Sequence, residues 1–236
     1  MFNIHRKKIN SSIFIVLFFI NFGTYSQTKN LERFDYGRKL HFGFTIGTNV
    51  SDFKYEFSDN FYYNDSLLTV DVSTYPGITL GAISDLHLGE FFDIRVIPSL
   101  VLTERSVKYK FTNDYSTKKS VESIFAELPV LLKFKSTRHG NLRFYVIGGG
   151  KVSYDFGSNA RSNRDPNNPI IAIKPWAYAY EFGCGLDMYF YWFKFSPEIK
   201  LSKGINSILS PYHDVYSNVF ENIYSNFIYF SFNFEG

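Results

Sequence analysis

The stretch FIYFSFNFEG, residues 227–236, ends the chain and decides the fold class. Apolar and more polar residues alternate in it, so that one face of a β-strand at this place would be wholly apolar. The residues of that face are Ile228, Phe230, Phe232 and Phe234. A long apolar face on an exposed edge strand promotes aggregation. We therefore expect this strand to be paired on both sides and its apolar face to be covered.

The composition narrows the class of protein. The chain has 236 residues, enough for one sizeable domain or one barrel. Aromatic residues make up 20% of it, with 27 Phe and 18 Tyr, although the mean hydropathy is only −0.13. This balance excludes a helical membrane protein and suits strands that alternate between two environments. The net charge of +3 and the absence of a basic tract beyond the extreme N-terminus exclude a nucleic-acid partner.

The N-terminus predicts export from the cytoplasm. A basic cluster at residues 5–8 precedes an apolar run at 13–20, and Thr24 and Ser26 form a small-x-small cleavage pattern. We interpret residues 1–26 as a secretory signal peptide, because the apolar run is shorter than the roughly 20 residues that span a membrane. We assign residues 27–38 to a short periplasmic segment and residues 39–236 to the barrel.

Eight segments of the remaining chain alternate with a period of two, which is the pattern of half-buried strands. They lie at residues 40–47, 77–82, 93–105, 127–135, 143–155, 176–187, 194–201 and 228–235. Short connections are expected at 88–91, 136–141 and 189–192, and longer polar ones at 51–75, 112–120, 157–173 and 205–225. Connections that sort by length in this way are typical of outer-membrane barrels, whereas the turns of a soluble sandwich sort less regularly.

We therefore predict an all-β fold, an eight-stranded antiparallel up-and-down transmembrane β-barrel integral to the outer membrane and in contact with its lipid. The last strand should close on the first, residues 40–50, so that no edge is exposed. Both termini and the short turns should be periplasmic, with Phe61, Asn113, Arg164 and Tyr216 outside.

Aromatic residues near the turns and at the chain end predict a membrane-interface girdle. The residues proposed for it are Tyr189, Tyr191, Trp192 and Phe234.

Side chains fill the interior of a barrel of this size. The inward positions include charges of both signs, which must be paired when buried. The candidate interior charges are Arg95, Arg105, Glu127, Lys133, Glu181, Asp187 and Glu198. We expect the three glutamates to pair with some of Arg95, Arg105 and Lys133. Such a set forms either a salt-bridged plug or a path for protons or ions.

No residue pattern indicates catalysis. The histidines outside the signal peptide are scattered over strands and connections, and no HExxH, GxSxG or metal-ligand spacing occurs. Cys184 lies in an alternating apolar run and is interpreted as a small lipid- or core-facing residue. We expect no enzyme activity, cofactor or metal. A lipid-active enzyme or an adhesin on a small barrel is the alternative.

Five stretches in the same order resemble the PorT (SprT) proteins. They are LHFGFTIGTNVSDF (40–53), PGITLGAISDLHLGEFFDIRVIPSLVLTER (76–105), ESIFAELPVLLKFKSTRHGNLRFYVIGGGKVSYD (122–155), YEFGCGLDMYFYWFKFSPEIKLSKGI (180–205) and FIYFSFNFE (227–235). The resemblance implies a non-enzymatic outer-membrane barrel that the type IX (Por) secretion system of Bacteroidota needs in order to export proteases, adhesins or gliding-motility adhesins. Other type IX components would be its partners. No catalytic residues are implied.

Overall fold

The computed structural model describes residues 29–31, 39–57, 67–111, 116–157, 174–209 and 220–236. The predicted signal peptide and most of the segment 27–38 lie outside these residues. These residues contain ten strands, namely β1 (Leu40–Phe57), β2 (Leu67–Thr74), β3 (Pro76–His87), β4 (Phe92–Val96), β5 (Ser99–Phe111), β6 (Ser116–Lys135), β7 (Leu142–Asp155), β8 (Trp176–Tyr189), β9 (Lys194–Gly204) and β10 (Phe220–Glu235). No helix among the described residues is long and apolar enough to cross a membrane.

The ten strands form one closed antiparallel sheet. Two of its eight barrel strands are each made of two consecutive segments, and we call each of the eight barrel strands a stave. Only Tyr75 separates β2 from β3, and Ile97 and Pro98 separate β4 from β5, so each of these pairs makes one stave. At the second break, Pro98 has no N–H for the ladder. Its carbonyl accepts the N–H of Ala82 at 3.0 Å, and the Ile97 N–H donates to the Pro129 carbonyl at 3.3 Å, so the stave stays bonded on both sides. The predicted eight-stranded antiparallel barrel is confirmed.

The first stave closes the ring. β1 pairs with β10 from Gly43↔Glu235 to Phe57↔Phe220, and on its other side with β3 from Leu40↔Leu86 to Val50↔Pro76. The C-terminal strand is therefore paired on both sides, with β9 and with β1. Closure satisfies the backbone hydrogen bonds that an open edge would leave exposed.

The strands extend beyond the alternating segments at one end of the barrel. The long connections expected at 51–75, 112–120 and 205–225 are partly strand, because β1 continues to Phe57, β6 begins at Ser116 and β10 begins at Phe220. The outward positions of β1 change there from apolar residues to Asp52, Lys54 and Glu56. The ladder continues because backbone pairing does not require an apolar outer face. The remaining loop residues, 58–66, 112–115, 158–173 and 210–219, lie outside the described part of the chain.

Three short turns lie at the opposite end, together with the start of β1 and the end of β10. The turn between β8 and β9 is closed by the Phe190 N–H, which donates to the Phe193 carbonyl at 2.9 Å. In the turn between β6 and β7, Gly140 has a φ of 59°, a left-handed conformation that favours glycine. These turns coincide with the short connections that the sequence predicts.

The outer and inner walls differ as the period of two requires. The outward side chains over the central band are large, apolar and exposed, whereas most inward ones are buried and many are polar. The outward set includes Phe42, Phe44, Ile46, Ile78, Leu80, Leu100, Leu102, Leu128, Val130, Leu132, Phe144, Val146, Phe182, Ile199, Phe230 and Phe232. The molecule thus has its apolar surface on the outside and its polar groups within the ring.

A glycine makes room for one interior ring. Gly185 on β8 faces Tyr145 on β7 in the register, and a Cβ atom at Gly185 would lie 2.3 Å from the Tyr145 ring. The ring cannot easily move away, because its hydroxyl donates to Glu198 and the Lys133 ammonium lies 3.8 Å from its centroid. Gly185 therefore allows Tyr145 to lie flat against the wall and fill the lumen.

Gly185→Val should lower the free energy of unfolding by about 1–3 kcal/mol, the usual cost of overpacking a filled interior. Gly150→Val is the matched control, since a Cβ atom at Gly150 meets no atom within 4 Å and faces outward. The measurement is equilibrium unfolding of both variants in urea with lipid vesicles. Equal stability of the two variants would contradict the proposed role of Gly185.

Candidate functional site in the barrel interior

The interior of the barrel holds an almost balanced set of buried charges. Among the described residues, eight carboxylates and seven Lys or Arg side chains are buried. The carboxylates belong to Asp85, Asp93, Glu127, Asp155, Glu181, Asp187, Glu198 and Glu235, and the cations to Arg95, Lys133, Lys135, Arg143, Lys151, Lys194 and Lys200. Each unpaired charge would cost several kcal/mol, so their arrangement decides whether this lumen is stable.

Arg95 lies at the centre of the first group, which we call the Arg95 cluster: Arg95, Asp85, Glu198, Glu235 and Lys194. The Arg95 guanidinium binds both oxygens of Asp85 at 2.7 and 2.6 Å, Glu235 at 2.7 Å and Glu198 at 3.2 Å. The ammonium of Lys194 lies 2.6 Å from the other oxygen of Glu235. The Arg95 side chain is 0% exposed, so these charge-assisted bonds replace the water that it has lost.

Lys133 and Asp187 form a second fully buried pair beside the Arg95 cluster. The Lys133 ammonium donates to both carboxylate oxygens of Asp187 at 3.0 and 2.9 Å. The Ser196 hydroxyl donates to the same carboxylate at 2.6 Å. Tyr145 connects this pair to the first group, because its ring lies under Lys133 and its hydroxyl donates to Glu198 at 2.8 Å.

A separate group, the Lys151 cluster, consists of Lys151, Glu127, Glu181, Lys200 and Tyr229. The Lys151 ammonium lies 2.8 Å from Glu127 and 3.3 Å from Glu181, and Lys200 lies 2.9 Å from Glu181. The Tyr229 hydroxyl donates to Glu127 at 3.0 Å and accepts a bond from Lys151 at 2.8 Å. The five side chains come from β6, β7, β8, β9 and β10, so the cluster crosses the lumen.

Apolar side chains pack between and beyond the ionic groups. Along β6, the inward positions run from Lys133 through Leu131 to Glu127 and then Phe125. Leu131 belongs to a buried apolar group with Ile83, Ile97, Tyr145 and Ile147, and Phe125 to one with Val101, Phe227 and Tyr229. The described lumen is therefore filled by alternating ionic and apolar layers, as the size of the barrel predicts.

Near the short turns, the charges lie closer to solvent. The Asp93 carboxylate lies 2.7 Å from Nδ1 of His87 and 2.6 Å from the Lys135 ammonium. The Arg143 guanidinium donates to the carbonyls of Glu90 and Ser136, at 2.5 and 2.7 Å, and thereby joins two of the turns. In the described part of the chain, no group of three or more His, Cys, Asp or Glu side chains is arranged to hold a metal ion.

Tyr189 was expected in the interface girdle, and the structure corrects this. Its side chain is only 5% exposed, and the Arg138 guanidinium lies 3.8 Å from its ring centroid. Tyr189 shares the odd-numbered parity of Asp187, so it points inward at the end of β8. The Tyr189 carbonyl accepts a bond from the Asn30 side-chain amide, and the backbone carbonyl of Asn30 accepts a bond from Arg138. The segment before the barrel thus contacts the short-turn end.

The other candidate residues lie at different places. Tyr191 and Trp192 are 70% and 80% exposed at the turn between β8 and β9, and Phe234 faces outward, stacked on Phe44 at 5.0 Å. The backbone of Arg105 pairs with Thr74 and Val121, and its side chain lies outside the described part of the structure. The other six candidate interior charges, Arg95, Glu127, Lys133, Glu181, Asp187 and Glu198, are all buried in the lumen.

The structure also corrects the expected pairings. Glu198 binds Arg95, but among the described side chains Glu127 and Glu181 bind Lys151 and Lys200 and not Arg95 or Lys133. Asp85 and Glu235, the nearest partners of Arg95, were absent from the candidate set. The period of two, continued from residue 82 to residue 87, places Asp85 on the inner face. The final strand likewise places Glu235 opposite its Phe face, so parity alone could have found both residues.

Two comparisons with known proteins give matches. A family model described as "Outer membrane protein beta-barrel domain" matches residues 25–210. The chain is also similar to a solved structure, the outer membrane protein OprG from Pseudomonas aeruginosa, at 12% identity with a TM-score of 0.46. That similarity covers 84% of this chain and 94% of OprG. A comparison with curated proteins returned no match.

The Lys133–Asp187 pair allows a double-mutant cycle. Lys133→Met and Asp187→Leu should each cost about 3–5 kcal/mol of unfolding free energy, because each leaves the other charge buried and unpaired. The double variant should cost less than their sum by about 2–3 kcal/mol, since apolar groups then face each other. Urea unfolding in lipid vesicles gives the three values.

Lys203→Met and Glu90→Leu provide the matched cycle, because both side chains are exposed and lie at opposite ends of the barrel. Their effects should be additive within about 0.5 kcal/mol. Additive effects for Lys133 and Asp187 as well would show that the two groups do not stabilise each other.

Proposed function

Since the chain belongs to the family of outer membrane protein β-barrel domains, we propose that it is a non-enzymatic component needed for protein export by the type IX (Por) secretion system. The family membership and the closed apolar-walled ring make it an integral outer-membrane protein. The export role is supported by the resemblance of its five strand-bearing stretches to the PorT (SprT) proteins.

The filled lumen is the observation that carries the non-conduit part of this proposal. Arg95 and Lys133 are 0% exposed, and Arg95 reaches Glu198 and Glu235 on the far wall, so charged side chains cross the interior. An exported polypeptide would have to break these pairs, at several kcal/mol for each buried charge. Cargo must therefore cross the membrane through another, wider protein, and this barrel contributes through its surfaces.

Two surfaces are available for contact with other secretion components. The turn between β8 and β9 presents Tyr191 and Trp192, which pack against each other with ring centroids 4.7 Å apart. The outer wall of β9, β10 and β1 carries stacked phenylalanines, including Phe195 with Phe232 at 5.9 Å and Phe44 with Phe234 at 5.0 Å. Exposed aromatic side chains are frequent anchors of protein interfaces.

The described contacts offer little support for a lipid-active enzyme. A hydrolase needs a nucleophile within hydrogen-bond reach of a base. His87 and Asp93 resemble the base and orienting group of such a site. However, the Asp93 oxygen that lies 2.7 Å from Nδ1 of His87 also accepts a bond from the Lys135 ammonium at 2.6 Å, so this carboxylate belongs to an ion pair.

Deletion of the gene should block the surface appearance of many cargo proteins, while the lipid A structure and the amounts of other outer-membrane barrels stay normal. Quantitative proteomics of the culture medium and cell surface measures this, with complementation by the wild-type gene as control. Normal cargo export in the deletion strain would refute the export role. Altered lipid A with normal export would instead support the enzyme alternative.

The purified protein should give no large, stable conductance in planar bilayers, because ion pairs and apolar layers fill the described lumen. A porin reconstituted in the same way supplies the positive control. Large and stable openings of the wild-type barrel would contradict the filled interior. Openings seen only with Lys133→Met would identify the Lys133–Asp187 pair as part of the barrier.

Epitope tags near residues 113 and 164 should be accessible on intact cells, whereas a tag in the turn at 136–141 should become accessible only after the outer membrane is opened. The reason is that short turns of such barrels face the periplasm and long loops face outward. Antibody labelling of intact and permeabilised cells measures the difference. The reverse pattern would invert the proposed orientation.

A further inference from the structure

We propose that a groove on the outer wall of β7, β8 and β9 binds one acyl chain of a phospholipid from the leaflet that faces the short turns. The inference uses the outer-membrane location and the proposed orientation, and it does not depend on the type IX role. We call this groove the acyl groove. It is lined by Phe134, Phe144, Val146, Cys184, Leu186, Pro197, Ile199, Phe230 and Phe232, with backbone and inward residues behind them.

The groove is concave, although the outer wall of a barrel is generally convex. Its volume is about 640 Å³, which lies within the roughly 300–1,000 Å³ of small-molecule sites. The strand order places the Phe134 and Phe144 rings on one side and the Phe230 and Phe232 rings on the other. The smaller outward side chains of the strands between them, such as Cys184, form the floor.

A local break in the ladder explains the depression. Among the described pairs of β8 with β9, Gly185↔Glu198 and Met188↔Phe195 occur without a pair between them. Pro197 lies in this gap and has no N–H to donate, so ladder pairs are missing here although the register is the same on both sides of the gap. From inside, the Tyr145 ring supports the floor, because it fills the space at Gly185. The groove is thus a built feature of the wall and is closed toward the lumen.

The lining determines the chemistry of the occupant. Glu198 is the one ionisable carboxylate in the lining, and its side chain points inward to Arg95 and Tyr145. Apart from Ser136 at one end, the outward surface therefore offers hydrocarbon and aromatic rings and no charged group. An incoming β-strand would find no free edge, since β7, β8 and β9 are all paired on both sides. An acyl chain needs neither a charged partner nor a free strand edge, and burial of its apolar surface favours binding.

The position of the acyl groove along the barrel axis determines which leaflet of the membrane supplies the lipid. Phe134 and Ser136 line one end of the acyl groove, and they lie at the turn between β6 and β7. With the short turns in the periplasm, this end lies at the periplasmic interface. That leaflet is the phospholipid leaflet, so the headgroup would lie near Ser136 and one chain would extend along the floor toward the membrane centre.

Cys184 provides a direct probe, because it is the single cysteine of the chain and its side chain is exposed. The probe lipid is dipalmitoyl phosphatidylethanolamine, added to the full-length protein in detergent, and the readout is the rate of Cys184 alkylation by N-ethylmaleimide. The rate should fall about tenfold when the lipid is present at about ten times its dissociation constant. Purified lipopolysaccharide, the other lipid of this membrane, should protect much less.

The matched control places the cysteine elsewhere on the same wall. Ala82→Cys in a Cys184→Ala background puts the thiol on the outward face of β3, away from the groove. Phospholipid should slow the alkylation of this thiol by no more than about twofold, since lipid contacts this part of the wall only non-specifically. Equal protection at both positions would overturn the proposal. Protection that follows protein concentration instead of lipid would identify a second copy of the chain as the occupant and would also overturn it.

A second measurement does not use thiol chemistry. Native mass spectrometry of the wild-type barrel should show one retained phospholipid, which Cys184→Phe should lose because the new ring fills the floor. Ala82→Phe, the same kind of change outside the groove, should retain it. Resistance to unfolding in detergent establishes that both variants are folded. Retention by Cys184→Phe, or retention of lipopolysaccharide in place of phospholipid, would refute the site.

Discussion

The bonding of one guanidinium to three carboxylates is the interaction on which the interior depends. Arg95 reaches Asp85 on the adjacent stave and Glu198 and Glu235 on strands of the far wall. Such a group tolerates loss of water only because every charge has a close partner of opposite sign. Its geometry therefore requires that β3, β4, β9 and β10 keep one register, and the closure of β1 on β10 holds that register.

The barrel has charged groups inside and apolar groups outside, which is the reverse of a soluble protein. This arrangement is stable when lipid surrounds the outer wall and the backbone groups are hydrogen-bonded within the ring. It also restricts what the barrel can do. Side chains from most staves fill the described lumen, so the proposed export role is assigned to the turns, the loops and the outer wall.

The outer wall is less uniform than its composition suggests. Stacked phenylalanines cover β9, β10 and β1, whereas a concave region lies over β7, β8 and β9 and includes Pro197 and Gly185 in its lining. The concave region lies over an interior requirement, because Gly185 leaves room for the Tyr145 ring and that ring contacts Lys133 and Glu198. Packing in the lumen thus shapes the surface that lipid or a partner meets.

By itself, the sequence determined the number of staves and the face on which most side chains lie, because a strand turns its side chains to opposite sides with a period of exactly two residues. The odd positions of β7 and β8, such as Lys151 and Asp187, could be assigned to the interior in this way. The same rule places Tyr189 inside, although the aromatic cluster around it suggested the interface. Only the tertiary structure decided which interior charges meet. Lys151 contacts Glu127 and Glu181 on the two staves that flank its own, and Arg95 reaches Glu235 on β10. Contacts across the lumen depend on the stagger of the closed sheet, which no local pattern encodes.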